Sequence, residues 1–360
     1  MKMEYFYHLD RIIREELEEG RTIAIYPFGK IGMQAKEILE QRYGGEAILI
    51  DNKLAKYNKA VRTIEEFLET DNSNVTVFVC VIDRKVNSAL LQTLQKNKIG
   101  LKIRNVLEPR GAYVTGKEEY FQQIKDLCRV KKSTEYALTR VGSNNDGGYI
   151  MLDDFKKIEI AYSFGIGNNI EWEEDVISKG MSVWGYDPTI IELPYECSGL
   201  RFHRIGITGK DKPTHRLYSL ETILKENGHS DKENLILKMD VEGAEWDFLQ
   251  EVSNETLAQF NQISLELHKM TDMENKDKVL QGLQKLRETH EPVWIHGNSG
   301  GSYECSGNII IPNAFEITYV KKAVYNLADT SYHCPIDLDN ENVEAFFDIV
   351  LEDWGTVTES

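Results

Sequence analysis

Acidic and basic side chains are concentrated in one short segment of the sequence, KMDVEGAEW at 238–246. An apolar stretch precedes it, so Lys238 and Asp240 are predicted to end a buried strand and Glu245 to lie in the following helix. Burying such charges costs free energy unless they serve a site. We therefore expect Asp240 to position a cofactor or an acceptor, whereas Glu242 and Glu245 could instead only favour the helix N-terminus.

A second segment, SFGIGNN at 163–169, places glycines directly after another apolar stretch. Glycine lets a ligand lie against the backbone, and an acid about twenty residues later can hold both hydroxyls of an adenosine ribose. Asp187, which follows the next predicted strand, stands at that spacing. Nicotinamide dinucleotides and S-adenosylmethionine are both compatible with the pattern. The residues predicted to bind the cofactor here are Gly165, Gly167, Asn168 and Asp187.

The segment KMDVEGAEW resembles the signature of the FkbM-type methyltransferases, class I S-adenosylmethionine-dependent enzymes that mostly O-methylate sugars and glycosylated metabolites. Further motifs follow in the family's order between residues 135 and 322. They are RVG at 140–142, DGGY at 146–149, SLETIL at 219–224, LELH at 265–268, HGN at 296–298 and FEITY at 315–319. The resemblance implies S-adenosylmethionine as cofactor and a nucleotide-activated sugar or a surface-polysaccharide unit as acceptor. It does not extend to residues 1–115.

One position departs from the family pattern. The acid that often begins the glycine motif of the first strand is replaced by Ser163. That acid normally meets the amino group of the cofactor, so in this chain it must come from elsewhere or be absent, and Asp146 or Asp240 could take its place.

Two histidines that follow predicted strands, His268 and His296, are the candidates for a catalytic base. Methyl transfer is an in-line displacement in which the acceptor oxygen must lose its proton, and a sugar hydroxyl is a poor nucleophile without a base or a metal ion. A structural role is the alternative for each histidine. Asp240, Glu266 and His268 could instead bind Mg²⁺ or Mn²⁺, because neighbouring parallel strands end ~5 Å apart and oxygen ligands suit hard cations.

The elements that must position these residues alternate between strands and helices, which predicts parallel sheets with ligands at the carboxyl ends of the strands. In the second half, strands are predicted at 158–164, 182–186, 201–205, 235–239, 262–267, 293–295 and 315–320, and helices at 170–178, 220–226, 244–252 and 276–290. The last two strands follow each other without a helix and are predicted to pair antiparallel at one edge. The predicted fold class is α/β with two domains, a Rossmann-like N-terminal parallel sheet and a doubly wound, seven-stranded class I methyltransferase sheet.

The N-terminal half shows the same alternation. Strands are predicted at 22–26, 47–50 and 75–81, and helices at 5–17, 31–41 and 86–95. The turn PFGKIG at 27–32 resembles half of a dinucleotide-binding unit, although Pro27 occupies the first glycine position. An NAD-dependent oxidoreductase that uses Gly29, Gly32 and Asp51 is therefore an alternative function. Close helix packing is the other explanation for these glycines.

Four segments are predicted along the chain: a Rossmann-like domain at 1–115, a helical connector at 116–135, the methyltransferase domain at 136–322 and an acidic tail at 323–360. The tail contains nine acids and no Lys or Arg after Lys322. This composition predicts a solvated acidic helix, with a docking segment as the alternative. A loop of small residues at 299–302 is predicted to be mobile, with a lid over the acceptor as the alternative.

The overall charge and hydropathy exclude several classes of partner. The 42 Lys and Arg against 59 Asp and Glu give a formal charge of −17, which disfavours nucleic acid and anionic membranes. Apolar stretches are far shorter than the ~20 residues that cross a bilayer, and no signal peptide is predicted. The five cysteines lack zinc or disulfide spacing, so a cytoplasmic protein is predicted.

The sequence leaves a third functional hypothesis and one question of assembly. Both sheets could serve as the scaffold of a non-enzymatic glycan-binding protein. Self-association into a homo-oligomer is equally open.

Overall fold

The computed structural model describes residues 3–70, 72–81, 86, 90, 94, 102–106, 111–340, 342 and 348–356. By its internal contacts the chain separates into two units, Met1–Val114 and Thr115–Ser360. The predicted domain boundary at residue 115 lies next to this division.

The N-terminal unit contains a five-stranded parallel sheet in the order β3-β2-β1-β4-β5. The strands are β1 (Thr22–Tyr26), β2 (Ile48–Ile50), β3 (Val61–Arg62), β4 (Val75–Val79), β5 (Lys102–Asn105) and a further short strand, β6 (Gly111–Tyr113). The helices are α1 (Met3–Glu18), α2 (Lys30–Tyr43) and α3 (Ile64–Leu68). The predicted helix at 86–95 lies mostly outside the described residues, although residues 86, 90 and 94 are helical.

Two-residue periodicity explains how β1 organises this unit. Ile23 and Ile25 pack into one core with residues of α1 and α2, whereas Ala24 and Tyr26 pack into a second core with residues of α3. Successive side chains of a strand point to opposite faces, so a fully apolar strand needs helices on both sides. The predicted α/β architecture with a parallel sheet is confirmed.

The second unit alternates strands and helices in the predicted order. Its helices are α4 (Glu118–Leu127), α5 (Glu171–Ser178), α6 (Leu220–Glu226), α7 (Glu245–Glu251), α8 (Asn254–Leu257) and α9 (Lys276–Thr289). Its strands are β7 (Lys131–Ser133), β8 (Leu138–Gly142), β9 (Gly148–Leu152), β10 (Ile160–Phe164), β11 (Ser182–Tyr186), β12 (Leu200–His203), β13 (Gly206–Ile207), β14 (Leu217–Tyr218), β15 (Leu235–Met239), β16 (Phe260–His268), β17 (His290–Gly297), β18 (Tyr303–Ser306), β19 (Ile309–Pro312), β20 (Ala314–Lys321) and β21 (Leu327–Asp329).

The main sheet of this unit has the strand order β12-β11-β10-β15-β16-β20-β17. The five strands β12, β11, β10, β15 and β16 are parallel to one another. Strand β20 runs antiparallel to both of its neighbours, β16 and β17. The carboxyl ends of β10, β15 and β16 therefore lie side by side. They carry the glycine loop, Asp240 and His268, so the sheet brings the chemically active segments to one edge.

The structure corrects the prediction for the tail. In its described part, β21 pairs with β7, and isolated bridges join Cys334 to Leu351 and Val130 to Gly355. Tyr332 and Trp354 are buried, so the described tail is extended chain packed on the unit rather than a solvated helix. The prediction relied on the acidic composition of the tail and did not take account of its buried apolar residues, which pack against the rest of the unit.

One further prediction needs correction. The segment predicted as a connector, 116–135, contributes α4 and β7, and the Tyr120 hydroxyl donates to the carbonyl of Met270 at 2.8 Å, so it belongs to the unit itself.

The loop at 299–302 starts with Ser299, which is buried and donates its backbone N–H to Asn342 at 3.0 Å, and the mobility of the loop stays a prediction. A hairpin of β18 and β19, absent from the prediction, follows it.

No helix among the described residues is both long enough and apolar enough to span a bilayer.

Candidate functional site

The glycine loop after β10 has two glycines with left-handed backbones and different surroundings. Gly165 has φ 79°, and a Cβ there would lie 1.6 Å from the carbonyl oxygen of Asp240, so no side chain fits between the ends of β10 and β15. Gly167 has φ 58°, and nothing lies within 4 Å of its would-be Cβ. Gly165 thus permits the close approach of two strands, and Gly167 leaves open surface on the loop, where Asn168 is also exposed.

Asp187 shapes this loop from the end of β11. Its Oδ2 accepts the backbone N–H groups of Ile166 at 3.0 Å and Gly167 at 2.9 Å, and its Oδ1 accepts the N–H and hydroxyl of Thr189. Burial raises the pKa of Asp187, but these hydrogen bonds outweigh it and leave the pKa below its usual value. Because a carboxylate has about four acceptor positions, Asp187 is occupied by its own chain. Its contact with a ribose stays a prediction.

Beneath the loop, a buried pair of charged side chains lies beside Ser163, the residue at the position of the missing acid. The hydroxyl of Ser163 donates to Glu173 of α5, which is fully buried. Lys238 places its Nζ 3.8 Å from Glu173 and donates to the carbonyl of Gly165 at 2.7 Å. The cation offsets the buried carboxylate and holds the first turn of the loop.

His268, at the carboxyl end of β16, is held by a carboxylate from α7. Its Nδ1 lies 3.0 Å from Oε1 of Glu245, which is fully buried and also accepts the backbone N–H of Val241 at 3.1 Å. The indole of Trp246 donates to the backbone carbonyl of His268 at 2.7 Å. A carboxylate on Nδ1 favours the tautomer with the proton on that nitrogen, so Nε2 is left to accept a proton.

The other nitrogen of His268 faces a ring of carboxylates. Nε2 lies 3.4 Å from Glu266, 3.6 Å from Glu242 and 3.9 Å from Asp240. Burial lowers the pKa of His268, but the hydrogen bond from Glu245 and the surrounding negative charges outweigh it, so the net pKa is raised. Burial raises the pKa of Asp240 to about 6. A raised histidine pKa makes Nε2 a stronger base than an isolated imidazole.

His296 occupies a different environment from His268. It is buried, with Nδ1 2.9 Å from Glu316 and Nε2 2.9 Å from Asp348. Burial lowers its pKa, but the hydrogen bonds to both carboxylates raise it to about 10. Both nitrogens therefore carry protons at neutral pH. The geometry does not suit the base role predicted for His296 and makes it a partner that holds Glu316.

The predicted metal ligands fall into two neighbouring groups. One contains Asp240, Glu245 and His268, and the other contains Asp146, Glu266 and Glu316; within each, ligand atoms lie within 4.8 Å of one another. Asp146, predicted as a cofactor contact, is the exposed member of the second group. Glu266 therefore lies between the two groups, with Oε1 3.4 Å from Nε2 of His268.

Two of the three candidate residues of the N-terminal unit, Gly32 and Asp51, have local structural roles. A Cβ at Gly32 would lie 2.8 Å from the side chain of Ile25 and 3.0 Å from the carbonyl of Pro27, so this glycine allows α2 to pack on β1. Asp51 accepts the backbone N–H groups of Lys53 and Leu54 at 2.8 and 2.9 Å. Gly29 precedes α2 and has open space around it.

Sequence reasoning missed three parts of the site: the role of Glu245 as partner of His268, the buried Glu173, and the pairing of Glu266 with Glu316. The two-residue period placed Glu266 and His268 on one face of β16. The register between β16 and β20, which puts Glu316 opposite Glu266, has no signal in the sequence.

An α/β sheet that places a glycine loop and an acid–base cluster at the carboxyl ends of neighbouring strands is typical of enzymes with adenosine-containing cofactors. The family model of the methyltransferase FkbM domain matches residues 112–291, half of the chain. The chain belongs to the FkbM methyltransferase family, as the sequence motifs implied.

The chain is similar to the crystal structure of methyltransferase FkbM from Methylobacillus flagellatus KT, with 12% identity, a TM-score of 0.36, and coverage of 88% of this chain and 98% of that chain. No curated protein matches the chain.

Proposed function

We propose that this protein is an S-adenosylmethionine-dependent O-methyltransferase that acts on a sugar hydroxyl of a glycan or nucleotide-activated sugar. The observation that carries the proposal is the pair of His268 and Glu245, which lies next to Asp240 at the edge of the sheet that also bears the glycine loop. A base oriented by a buried carboxylate suits removal of a proton from a hydroxyl. Membership in the methyltransferase family supports the class of reaction.

The glycine loop fits the proposed cofactor. Gly167 is exposed and has open space where a side chain would otherwise project, and Asp187 and Lys238 hold the loop from below. Gly165, Gly167 and Asn168 would therefore lie against the cofactor, and Asp146 or Asp240 would meet its amino group in place of the missing acid. When bound, S-adenosylmethionine supplies an electrophilic methyl group.

His268 would accept the proton of the acceptor hydroxyl on Nε2. Glu245 keeps the proton on Nδ1 and thereby leaves the lone pair of Nε2 free to accept a proton. The imidazolium that results is stabilised by Asp240, Glu242 and Glu266, which surround Nε2 at 3.4 to 3.9 Å. These carboxylates would favour the charged form after proton transfer.

Calorimetry with the purified, dialysed protein separates the candidate cofactors. We expect S-adenosylhomocysteine to bind and NADH, titrated in the same buffer, not to bind. Binding of NADH alone, lost in Asp51→Ala, would instead favour the oxidoreductase hypothesis. A third outcome would favour the non-enzymatic scaffold. In that case neither S-adenosylhomocysteine nor NADH binds, and the protein binds glycans even in the variants Asp240→Ala and His268→Ala.

A methyl-transfer assay on a panel of sugar acceptors tests the base. We expect His268→Gln to keep S-adenosylhomocysteine binding and to lose transfer by about 10²-fold or more, the typical contribution of a general base. His215→Gln, at an exposed histidine outside the site, is the matched control. Transfer by His268→Gln at the wild-type rate would exclude His268 as the base.

A further inference from the structure

We propose that Tyr120 and Lys117 position His268 by holding the turn that follows it, residues 269–272. Tyr120 belongs to helix α4, and Lys117 immediately precedes that helix. Both side chains donate hydrogen bonds to the backbone of the turn, so they act on the imidazole through the chain and are positioning residues. The role rests on the proposed function, in which His268 removes the proton of the acceptor hydroxyl.

The residue directly after His268 has an unfavourable backbone conformation. Lys269 has φ 58°, in the left-handed region that costs free energy for a residue with a side chain. Such a conformation persists only where the surrounding structure holds it, and it is common at functional sites. Gly243, in the turn between β15 and α7, leaves room for the side chain, because a Cβ there would lie 3.0 Å from Nζ of Lys269. The protein therefore has to hold the chain in place after His268.

Hydrogen bonds fix both peptide units that flank Lys269. The indole of Trp246 donates to the carbonyl of His268 at 2.7 Å, and the N–H of Met270 donates to the carbonyl of Asn313 at 3.1 Å. Because each peptide unit is planar, these two bonds restrict the φ and ψ of Lys269. The conformation after His268 is thus set by contacts with other segments of the unit.

Tyr120 and Lys117 hold the next two carbonyl groups of the turn. The hydroxyl of Tyr120 donates to the carbonyl of Met270 at 2.8 Å, and Nζ of Lys117 donates to that of Thr271 at 2.7 Å. Tyr120 and Met270 are buried, so loss of the hydroxyl would leave a buried carbonyl without its partner. Lys117 is itself fixed by an ion pair with Glu304 of β18 at 2.6 Å. These contacts secure the turn from the side of α4.

The imidazole depends on this turn because His268 is the last residue of β16. Its Nδ1 lies 3.0 Å from Glu245, and catalytic groups must be held within about 0.5 Å of their productive position. Burial lowers the pKa of His268, whereas the hydrogen bond to Glu245 raises it. If the turn relaxes and the contact with Glu245 lengthens, this pKa should fall. A role of Tyr120 in stability alone would lower Tm and leave the pKa of His268 unchanged.

An NMR titration of the full-length, histidine-labelled protein, without cofactor or acceptor, tests the positioning role. The variant His268→Gln identifies the signal of His268. We expect Tyr120→Phe to lower the pKa of His268 and to reduce kcat about tenfold or more, toward the ~10²-fold loss that a 1 Å misplacement causes, with KM for S-adenosylmethionine unchanged. Lys117→Met should change both quantities in the same direction. Lys117 is only partly buried, so its variant stays informative if Tyr120→Phe fails to fold.

Tyr332→Phe is the matched control, because Tyr332 is a buried tyrosine whose hydroxyl also donates to a backbone carbonyl, that of Ile295 at 2.7 Å. It should lower Tm and leave both kcat and the pKa of His268 unchanged. An unchanged pKa in Tyr120→Phe overturns the positioning role, and so does an equal change in Tyr332→Phe. A lower pKa with wild-type kcat would instead count against His268 as the base, and so against the proposed function alone.

Discussion

Nδ1 of His268 lies 3.0 Å from Oε1 of Glu245, a carboxylate that is completely buried. Glu245 belongs to the helix after the KMDVEGAEW segment, and His268 ends the neighbouring strand. The contact therefore joins two motifs that are more than twenty residues apart in the chain. It fixes the orientation of the imidazole and defines which nitrogen can act as a base.

Glu245→Gln should lower kcat at least about tenfold, because the amide no longer stabilises the charged imidazole. It should also move the acidic limb of the kcat/KM profile to lower pH, since the hydrogen bond to Glu245 raises the pKa of His268 and a base works only when deprotonated. The measurement is a pH–rate profile of methyl transfer, with S-adenosylhomocysteine binding as a check of the fold. Glu242→Gln, at an exposed carboxylate, should move the limb less. Equal shifts in both variants would argue against a special role of Glu245.

Gly165→Ala and Gly167→Ala form a matched pair on the glycine loop. Both glycines have a left-handed backbone conformation, in which an alanine lowers the free energy of unfolding by about 1–2 kcal/mol. At Gly165 the added Cβ would also collide with the carbonyl of Asp240, whereas at Gly167 it meets nothing. Calorimetry and thermal melts should show lost S-adenosylhomocysteine binding and a lower Tm for Gly165→Ala, and a milder effect for Gly167→Ala. The reverse order would contradict this account of the loop.

Lys238→Met should destabilise the protein by about 3–5 kcal/mol, because it leaves the buried carboxylate of Glu173 without its cation. Adding Glu173→Gln removes the unpaired charge. The double variant should therefore be more stable than the sum of the two single effects predicts, by about 0.5–3 kcal/mol. Urea unfolding of all four proteins measures this coupling, and additive effects would show that the two side chains do not act as a pair.

The stability contributed by His296 should depend on pH. Its pKa is raised to about 10 in the folded protein, above the ~6.5 of an unfolded histidine, so its contribution is complete below pH ~6.5 and is lost as pH rises toward 10. The difference in Tm between wild type and His296→Gln should thus be largest near pH 6 and shrink at higher pH. His215→Gln, at an exposed histidine, provides the baseline. A difference that grows with pH would contradict the ion pairs with Glu316 and Asp348.

Local patterns in the sequence were sufficient for many of the longer elements of both units, but not for short strands such as those of the β18–β19 hairpin. Strand β11 (Ser182–Tyr186) and helix α6 (Leu220–Glu226) have the predicted bounds, because each is an apolar or amphipathic run closed by glycine, proline or a capping serine. The acidic tail shows where composition fails. Its charges predicted a solvated helix, whereas Tyr332 and Trp354 are buried against other parts of the chain.

The sequence by itself determined the alternation of strands and helices, the position of the glycine loop and the motif that identifies the family. These depend on residues close together in the chain, where periodicity and turn chemistry act directly. Only the tertiary structure decided that Glu245 holds His268, that His296 lies between two carboxylates and that Glu266 faces Glu316. Those relationships depend on strand order and register, which arise when distant segments pack and which no local pattern encodes.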